Sequence, residues 1–310
     1  MGTRLKLRVR ASDRDAGIAA IEDALGVAAR YESFLSSWTY DSEMGRLNRS
    51  RPHQTVRLSP VLTELLRQAF FWSEETGGAF DPTIGALVDA WDVRGPGRVP
   101  LKHELTNVLG AVASAGLSFD VTNGTVKRLS RSTWIDSGGF GKGAALAAVR
   151  TSLVRSGIGD ALIDFGGQIV ALGSPGGGRD GWPVVIAHPE RRSTPTARLL
   201  LTDVSVATSG GSERWRVVRG REVSHVLDPR TGVPVASWGS VTVVSTDPLG
   251  ADALSTALFV LGPAAAMEWA RTRAEFGVFL SVVGADGEVR ESWNEPMEAW
   301  LDSAGRGLVQ

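Results

Sequence analysis

The chain of 310 residues is 43% hydrophobic and carries 33 Lys and Arg against 34 Asp and Glu, a formal net charge of -1. That length and apolar content can bury a sizeable core, while the balanced charge gives no global field for nucleic acid or an anionic membrane surface. The absence of cysteine removes disulfides, thiolate metal sites and a cysteine nucleophile, and leaves no sign of an oxidising compartment.

At the N-terminus Leu5, Leu7 and Val9 alternate with Arg4, Lys6, Arg8 and Arg10, the period of a half-exposed strand rather than the apolar run of a signal peptide. Residues 15–31 place Ile18, Ile21 and Leu25 on one helical stripe. The stretch SSWTYDSEMGRLNRS reads as a loop. Ser59-Pro60 then starts a helix with a capping hydroxyl and a proline at the first helical position, and Gly77-Gly78 stops it. GGAFDPT forms the next loop. Residues 93–133 read as a connection with Pro96 and Pro100, followed by a hairpin at TNGT. The glycine-rich WIDSGGFGKGAAL, residues 134–146, leads into a helix from about Gly143 to Arg155 that Gly157 ends. ALIDFGGQIVALG reads as two strands meeting at Gly166-Gly167, and WPVVIAHP as another. EVSHVL is strand-like and runs into the turn DPRTG. VTVVS precedes Asp247-Pro248, which has the grammar of a helix start, and a shorter helix and a hairpin at GADGE follow. No internal repeat recurs, and strands and helices interleave without βαβ spacing, which predicts an α+β fold with antiparallel sheets. The longest nearly uncharged stretch, residues 253–267, is broken by Gly262-Pro263 and is too short to span a bilayer, so no stable membrane insertion is expected.

Four constellations could carry chemistry. WIDSGGFGKGAAL fits neither a P-loop nor GxGxxG, because Lys142 is followed by Gly143 and the first glycine is misplaced. Its glycines still permit close backbone approach to a ligand, and the following helix offers free amides and a positive dipole end to an anion; a plain strand-to-helix turn is the competing reading. In GADALSTAL, Asp252, Ser255 and Thr256 share one helical face, and a carboxylate with hydroxyls suits a hard cation such as magnesium. Equally, an acid in a first turn stabilises any helix dipole, and helical Ser or Thr often bonds back to a carbonyl. His225, just before DPRTG, is of a residue type that suits a proton acceptor near neutral pH, although a lone strand histidine is more often structural; His188 shares that ambiguity. Asp81 in GGAFDPT either caps its turn or accepts hydrogen bonds from a ligand, and Trp38, Tyr40 and Phe80 supply aromatic surface near such loops.

In this order, these stretches resemble the ApbE family of FAD:protein FMN transferases over nearly the whole chain. MGT at residues 1–3, SEMGRLN at 42–48, GGAFDPTIGALVDAW at 77–91, IDSGGFGKGAA, IDFGGQIVALG, VATSG at 206–210, SHVLDPRTGVPV and ADALSTALFVLG are each similar to a family signature. The resemblance implies one ApbE-like domain over residues 1–310, with T-fold-like mixed sheets in two intertwined sub-domains and FAD in a central cleft. It implies a magnesium ion beside the FAD pyrophosphate, with Asp252, Thr256, Ser255 and the main-chain carbonyl of Gly141 as ligands. FAD contacts would fall on Met1, Tyr40, Ala79, Phe80, Asp81, Lys142, His225 and Val226.

The implied reaction is attack by a threonine hydroxyl of an acceptor flavoprotein on the FMN-side phosphorus, with AMP leaving and His225 or a nearby carboxylate taking the proton. The sequence departs from the family pattern at Gln168, where an acid is frequent, and at Asp164, where asparagine is frequent. Family members are commonly exported or lipid-anchored, whereas MGT follows no leader or lipobox here, so a cytoplasmic enzyme is expected. Two alternatives stand beside the transferase: a magnesium-dependent FAD pyrophosphatase giving FMN and AMP, and a non-catalytic FAD-binding or storage protein.

Overall fold

The computed structural model describes residues 2–112, 116–211, 215–218 and 221–302. The helices are α1 Arg14–Leu35, α2 Glu43–Arg49, α3 Pro60–Glu75, α4 Gly85–Ala90, α5 Lys102–Leu109, α6 Gly141–Arg155, α7 Pro248–Leu261 and α8 Pro263–Arg271. The strands are β1 Leu5–Arg10, β2 Thr55–Arg57, β3 Leu117–Asp120, β4 Thr125–Arg128, β5 Asp160–Phe165, β6 Gln168–Leu172 and β7 Trp182–Ala187. They continue with β8 Pro195–Leu201, β9 Ser205–Gly210, β10 Trp215–Val218, β11 Arg221–Ser224, β12 Gly239–Ser245, β13 Gly277–Val283 and β14 Val289–Trp293. The described residues of Arg30–Gly141 and Arg214–Ala236 form one compact unit, and those of Gly2–Ala29, Lys142–Glu213 and Ser237–Gln310 form another.

The second unit is built on a seven-stranded sheet in the order β1-β5-β6-β9-β12-β13-β14, every neighbouring pair antiparallel. The turn between β5 and β6 needs its glycines. Gly166 and Gly167 have φ of 61° and 92°, and a Cβ on Gly166 would stand 2.5 Å from Thr3 Oγ1. Strand β12 is buried along its whole length, as a central strand covered on both faces must be. One face lies under α7, which packs on β9 and β12. On the other, Val206 and Val244 join Trp182, Val184, Ile186, Leu199 and Leu201 of the β7–β8 hairpin in a continuous core with Phe279 and Met297. Helix α7 starts where Asp247 Oδ1 accepts the Leu249 amide at 3.0 Å and Pro248 occupies the first helical position. It is buried almost all round, which suits a composition in which Asp252, Ser255 and Thr256 are the polar side chains among apolar ones.

The first unit holds a three-stranded sheet, β2-β4-β3, helices α2 to α5 and the β10–β11 hairpin. Helix α3 begins at Ser59, whose hydroxyl accepts the Leu62 amide at 3.2 Å, and Glu43 in turn accepts the Ser59 hydroxyl at 2.7 Å. A small core of Leu87, Val88, Trp91, Val112 and Leu227 joins α4 to the segment after β11, and Trp91 Nε1 donates to Gly232 O at 2.7 Å.

Two helices depart from the sequence reading. Residues 43–49, expected as loop, form α2, capped by Ser42 accepting the Gly45 amide at 2.9 Å. Residues 102–109, expected as connection, form α5, none of whose residues is buried. Both helices are short, so neither shows a full apolar period. Among the described residues no helix is long and apolar enough to cross a membrane.

Irregular backbone in the first unit is held by Arg128, which is 5% exposed. Its guanidinium donates to Thr133 O at 2.6 Å, Ser50 O at 2.9 Å, Arg131 O at 2.5 Å and the carbonyl of Asn48. Asn48 adds a two-way bridge, accepting the Ile135 amide at 2.9 Å and donating to Ile135 O at 2.8 Å. Replacing Arg128 with methionine strands several buried carbonyls, and we expect a loss of roughly 2–4 kcal/mol in urea unfolding.

Candidate functional site

The sequence-selected residues fall into two groups, one on each unit. On the second unit, α7 presents Asp252, Ser255 and Thr256 on one face, as their spacing predicts. The Asp252 side chain is only 4% exposed and both of its oxygens are engaged. Lys142 Nζ donates to Oδ1 at 2.7 Å, and the Gly143 amide to Oδ2 at 3.0 Å. A carboxylate so removed from water requires such partners, and charge-assisted bonds are the strong kind. Ser255 Oγ and Thr256 Oγ1 donate to Asp252 O at 3.0 and 3.3 Å, and Ser255 Oγ also shares a 2.9 Å bond with Ser209 Oγ.

Because the Thr256 hydroxyl proton is directed inward to a carbonyl, its oxygen lone pairs remain for a cation. Among the described residues no group of three or more His, Asp or Glu could hold a metal ion. A cation here would therefore rest on one carboxylate with hydroxyl and carbonyl oxygens. That all-oxygen set fits a hard ion that keeps much of its water, such as Mg2+.

Gly143 permits this arrangement. A Cβ there would lie 2.2 Å from Pro248 O and 2.7 Å from Leu249 Cα, so α6 and the start of α7 approach backbone to backbone. Gln168 Nε2 donates to the same Pro248 O at 2.7 Å, tying β6 to α7. These two contacts give the glycine and Gln168 a structural reason that motif matching does not supply.

On the first unit, Ala79, Phe80 and Asp81 are buried at 1%, 4% and 4% exposure. Asp81 Oδ1 accepts the amide and hydroxyl of Thr83 at 2.7 and 2.6 Å, the turn-capping geometry of an Asp-Pro-Thr sequence. Phe80 meets Phe140 edge to face at 6.3 Å. The GGAFDPT loop borders the DPRTG turn, since a Cβ on Gly78 would stand 3.8 Å from Arg230 Cγ. His225 is half-buried and is not inside a strand. Strand β11 ends at Ser224, whose hydroxyl accepts the Val226 amide at 3.1 Å and turns the chain, correcting the strand expected through EVSHVL. Val226 is buried and its carbonyl accepts the Val235 amide at 2.9 Å. Tyr40 is 74% exposed with the Arg49 guanidinium 4.2 Å from its ring centroid. Gly141 is the first residue of α6 and groups with this unit, while Met1 lies outside the described residues.

Sequence reasoning missed Asp136, which is 5% exposed. It accepts Arg94 at 2.6 Å, the Gly138 amide at 2.6 Å and Ser37 Oγ at 3.4 Å. Arg94 in turn stacks over Trp38 at 4.2 Å, and Trp38 lies 4.8 Å from Trp134. The available signal was a carboxylate two residues before a glycine pair, where an aspartate caps its own turn. His188 is a hairpin element instead of a reactive group. Its Nδ1 accepts the amides of Glu190 and Arg191, both at 3.1 Å, and burial followed by the Arg191 charge holds its imidazole below the ordinary histidine pKa.

Residues 1–280 match the model of the ApbE family. A protein from Treponema pallidum named FAD:protein FMN transferase is 32% identical over 279 residues, covering 84% of this chain and 77% of its own. One of the same name from Klebsiella pneumoniae is 29% identical, covering 86% of this chain and 77% of its own. Among solved structures, the ApbE protein of Thermotoga maritima superposes with a TM-score of 0.86 at 28% identity, covering 97% of this chain and 96% of its own. The flavin transferase ApbE from Vibrio cholerae gives the same TM-score and coverage at 25% identity.

The close backbone approach at Gly143 makes a specific demand. Gly143→Ala should force α6 away from Pro248 and lower stability by roughly 1–3 kcal/mol, read as a shift of the thermal unfolding midpoint.

Proposed function

Because the chain belongs to the ApbE family, we propose that it is a transferase that moves the FMN part of FAD onto a threonine hydroxyl of an acceptor protein and releases AMP. The activity for which its relatives are named supports this reading. The observation that carries it to particular residues is Asp252, a carboxylate buried on the same helical face as the Ser255 and Thr256 hydroxyls. A protein that merely stored FAD would have no need of a cation-binding oxygen set.

Asp252, Thr256 and Ser255 would hold Mg2+, which when bound would offset negative charge on the phosphate oxygens of FAD. Tyr40, Ala79, Phe80, Asp81 and Val226 of the first unit are the proposed FAD contacts, with the exposed Tyr40 supplying the aromatic surface. The acceptor's hydroxyl oxygen bonds to the FMN-side phosphorus, the bond from that phosphorus to the bridging oxygen breaks, and AMP departs with the electron pair. His225 accepts the hydroxyl proton, a role suited to an imidazole that in its ordinary state titrates near neutral pH. FMN is thereby attached through a phosphoester.

Incubating the protein with FAD, Mg2+ and a candidate acceptor should yield AMP and acceptor-bound flavin fluorescence in equal amounts. AMP without bound flavin would instead assign hydrolysis of FAD, and FAD bound without AMP would leave binding alone. Asp252→Ala should lower AMP release by at least about a hundredfold, as loss of a metal ligand in phosphoryl transfer does; unchanged turnover would refute the metal assignment.

A further inference from the structure

Both oxygens of Asp252 are engaged, and one of them already has a cation on it. Gly143 N holds Oδ2 from a backbone that cannot move aside, since even a methyl group at Gly143 would collide with Pro248. Among the described residues, Oδ1 is held by Lys142 Nζ alone, at 2.7 Å. The two side chains differ in access to water: Asp252 is 4% exposed and Lys142 is 29% exposed. A lysine ammonium is a compact charge on a flexible four-carbon stem, so it can leave a partner that a fixed amide cannot. A divalent ion and an ammonium on one carboxylate oxygen repel each other.

We propose that Lys142 is the resident counter-ion of Asp252 and is exchanged for the divalent cation. The ion takes Oδ1 as the ammonium swings out along its partly exposed stem, where it is released to donate to an anionic oxygen of a bound nucleotide. The lysine thus acts as a positioning residue. It keeps a buried carboxylate compensated before the metal arrives and becomes an anion donor afterwards. This inference rests on the assignment of Asp252 as a metal ligand.

The test is titration of Mn2+ into the full chain, without FAD, followed by calorimetry for the wild type, Lys142→Met, Lys142→Gln, Lys142→Arg and Asp252→Asn. Removing the competing charge should tighten Mn2+ binding by about tenfold or more in Lys142→Met. Lys142→Gln, which keeps a polar stem should the methionine variant fold poorly, should tighten it likewise, and Lys142→Arg should stay near the wild type. Binding equal to or weaker than wild type in the two neutral variants overturns the exchange while leaving the metal site in place, and so does tightening by Lys142→Arg to the same extent. Mn2+ binding that is undiminished in Asp252→Asn, or absent from the wild type and both neutral variants, overturns the metal assignment itself.

Discussion

A buried carboxylate, Asp252, ties the start of α6 to α7 through one ammonium and one backbone amide. Much of the second unit is arranged so that this contact can form. Gly143 lacks a side chain that would separate the two helices, Gln168 pulls the α7 N-terminus toward β6, and the Ser255–Ser209 pair fixes the helix against β9. The Gly143–Asp252 and Gln168–Pro248 bonds are buried and the other two partly so, and an unmade hydrogen bond is costly there, so together they set the helix in one register on its sheet. The hydrophobic core beneath supplies the adhesion, and the polar contacts supply the placement.

The first unit solves a related problem by other means. Its candidate residues sit on loops, which have no ladder of backbone bonds to hold them. Buried charges do the holding: Arg128 gathers carbonyls of two segments, and Asp136 gathers an amide, a hydroxyl and a guanidinium. Such cages favour one conformation because any departure strands a buried charge. Transfer of a phosphoryl group depends chiefly on positioning and electrostatics, so rigid loops of this kind suit the proposed reaction.

Alternation of apolar residues, glycine pairs and Asx-Pro or Ser-Pro starts were enough to read most strands and helices α1, α3, α6, α7 and α8 from the sequence, although α1 buries Ala20 and Ala24 and leaves Ile18 and Leu25 of the expected stripe exposed. Helices α2, α4 and α5 escaped because each runs for only about two turns or fewer, too short a stretch to set a helix apart from loop by its pattern, and their stability comes from caps and neighbours. The spacing of Asp252, Ser255 and Thr256 was legible, since helical geometry alone places them on one face. That Lys142 would meet Asp252 was not, because the pair is 110 residues apart and only the fold joins them. Asp136 went unseen for the same reason: Arg94 and Ser37 are remote in sequence. His225 was read as a strand residue because nothing local reveals that Ser224 turns the chain.

The two units are not consecutive along the polypeptide: the chain enters and leaves each more than once. On a ribosome, the first unit lacks its last segment until Ala236 has been made, and the second already waits for strands that come after Ser237. Neither core can close early. Long-range pairings such as β1 with β5 and β9 with β12 must form across chain that belongs to the other unit, a topology that slows folding and lengthens the exposure of apolar strands. A cut between Gly141 and Lys142 would therefore divide both units at once, parting Trp91 from Gly232 and β1 from β5.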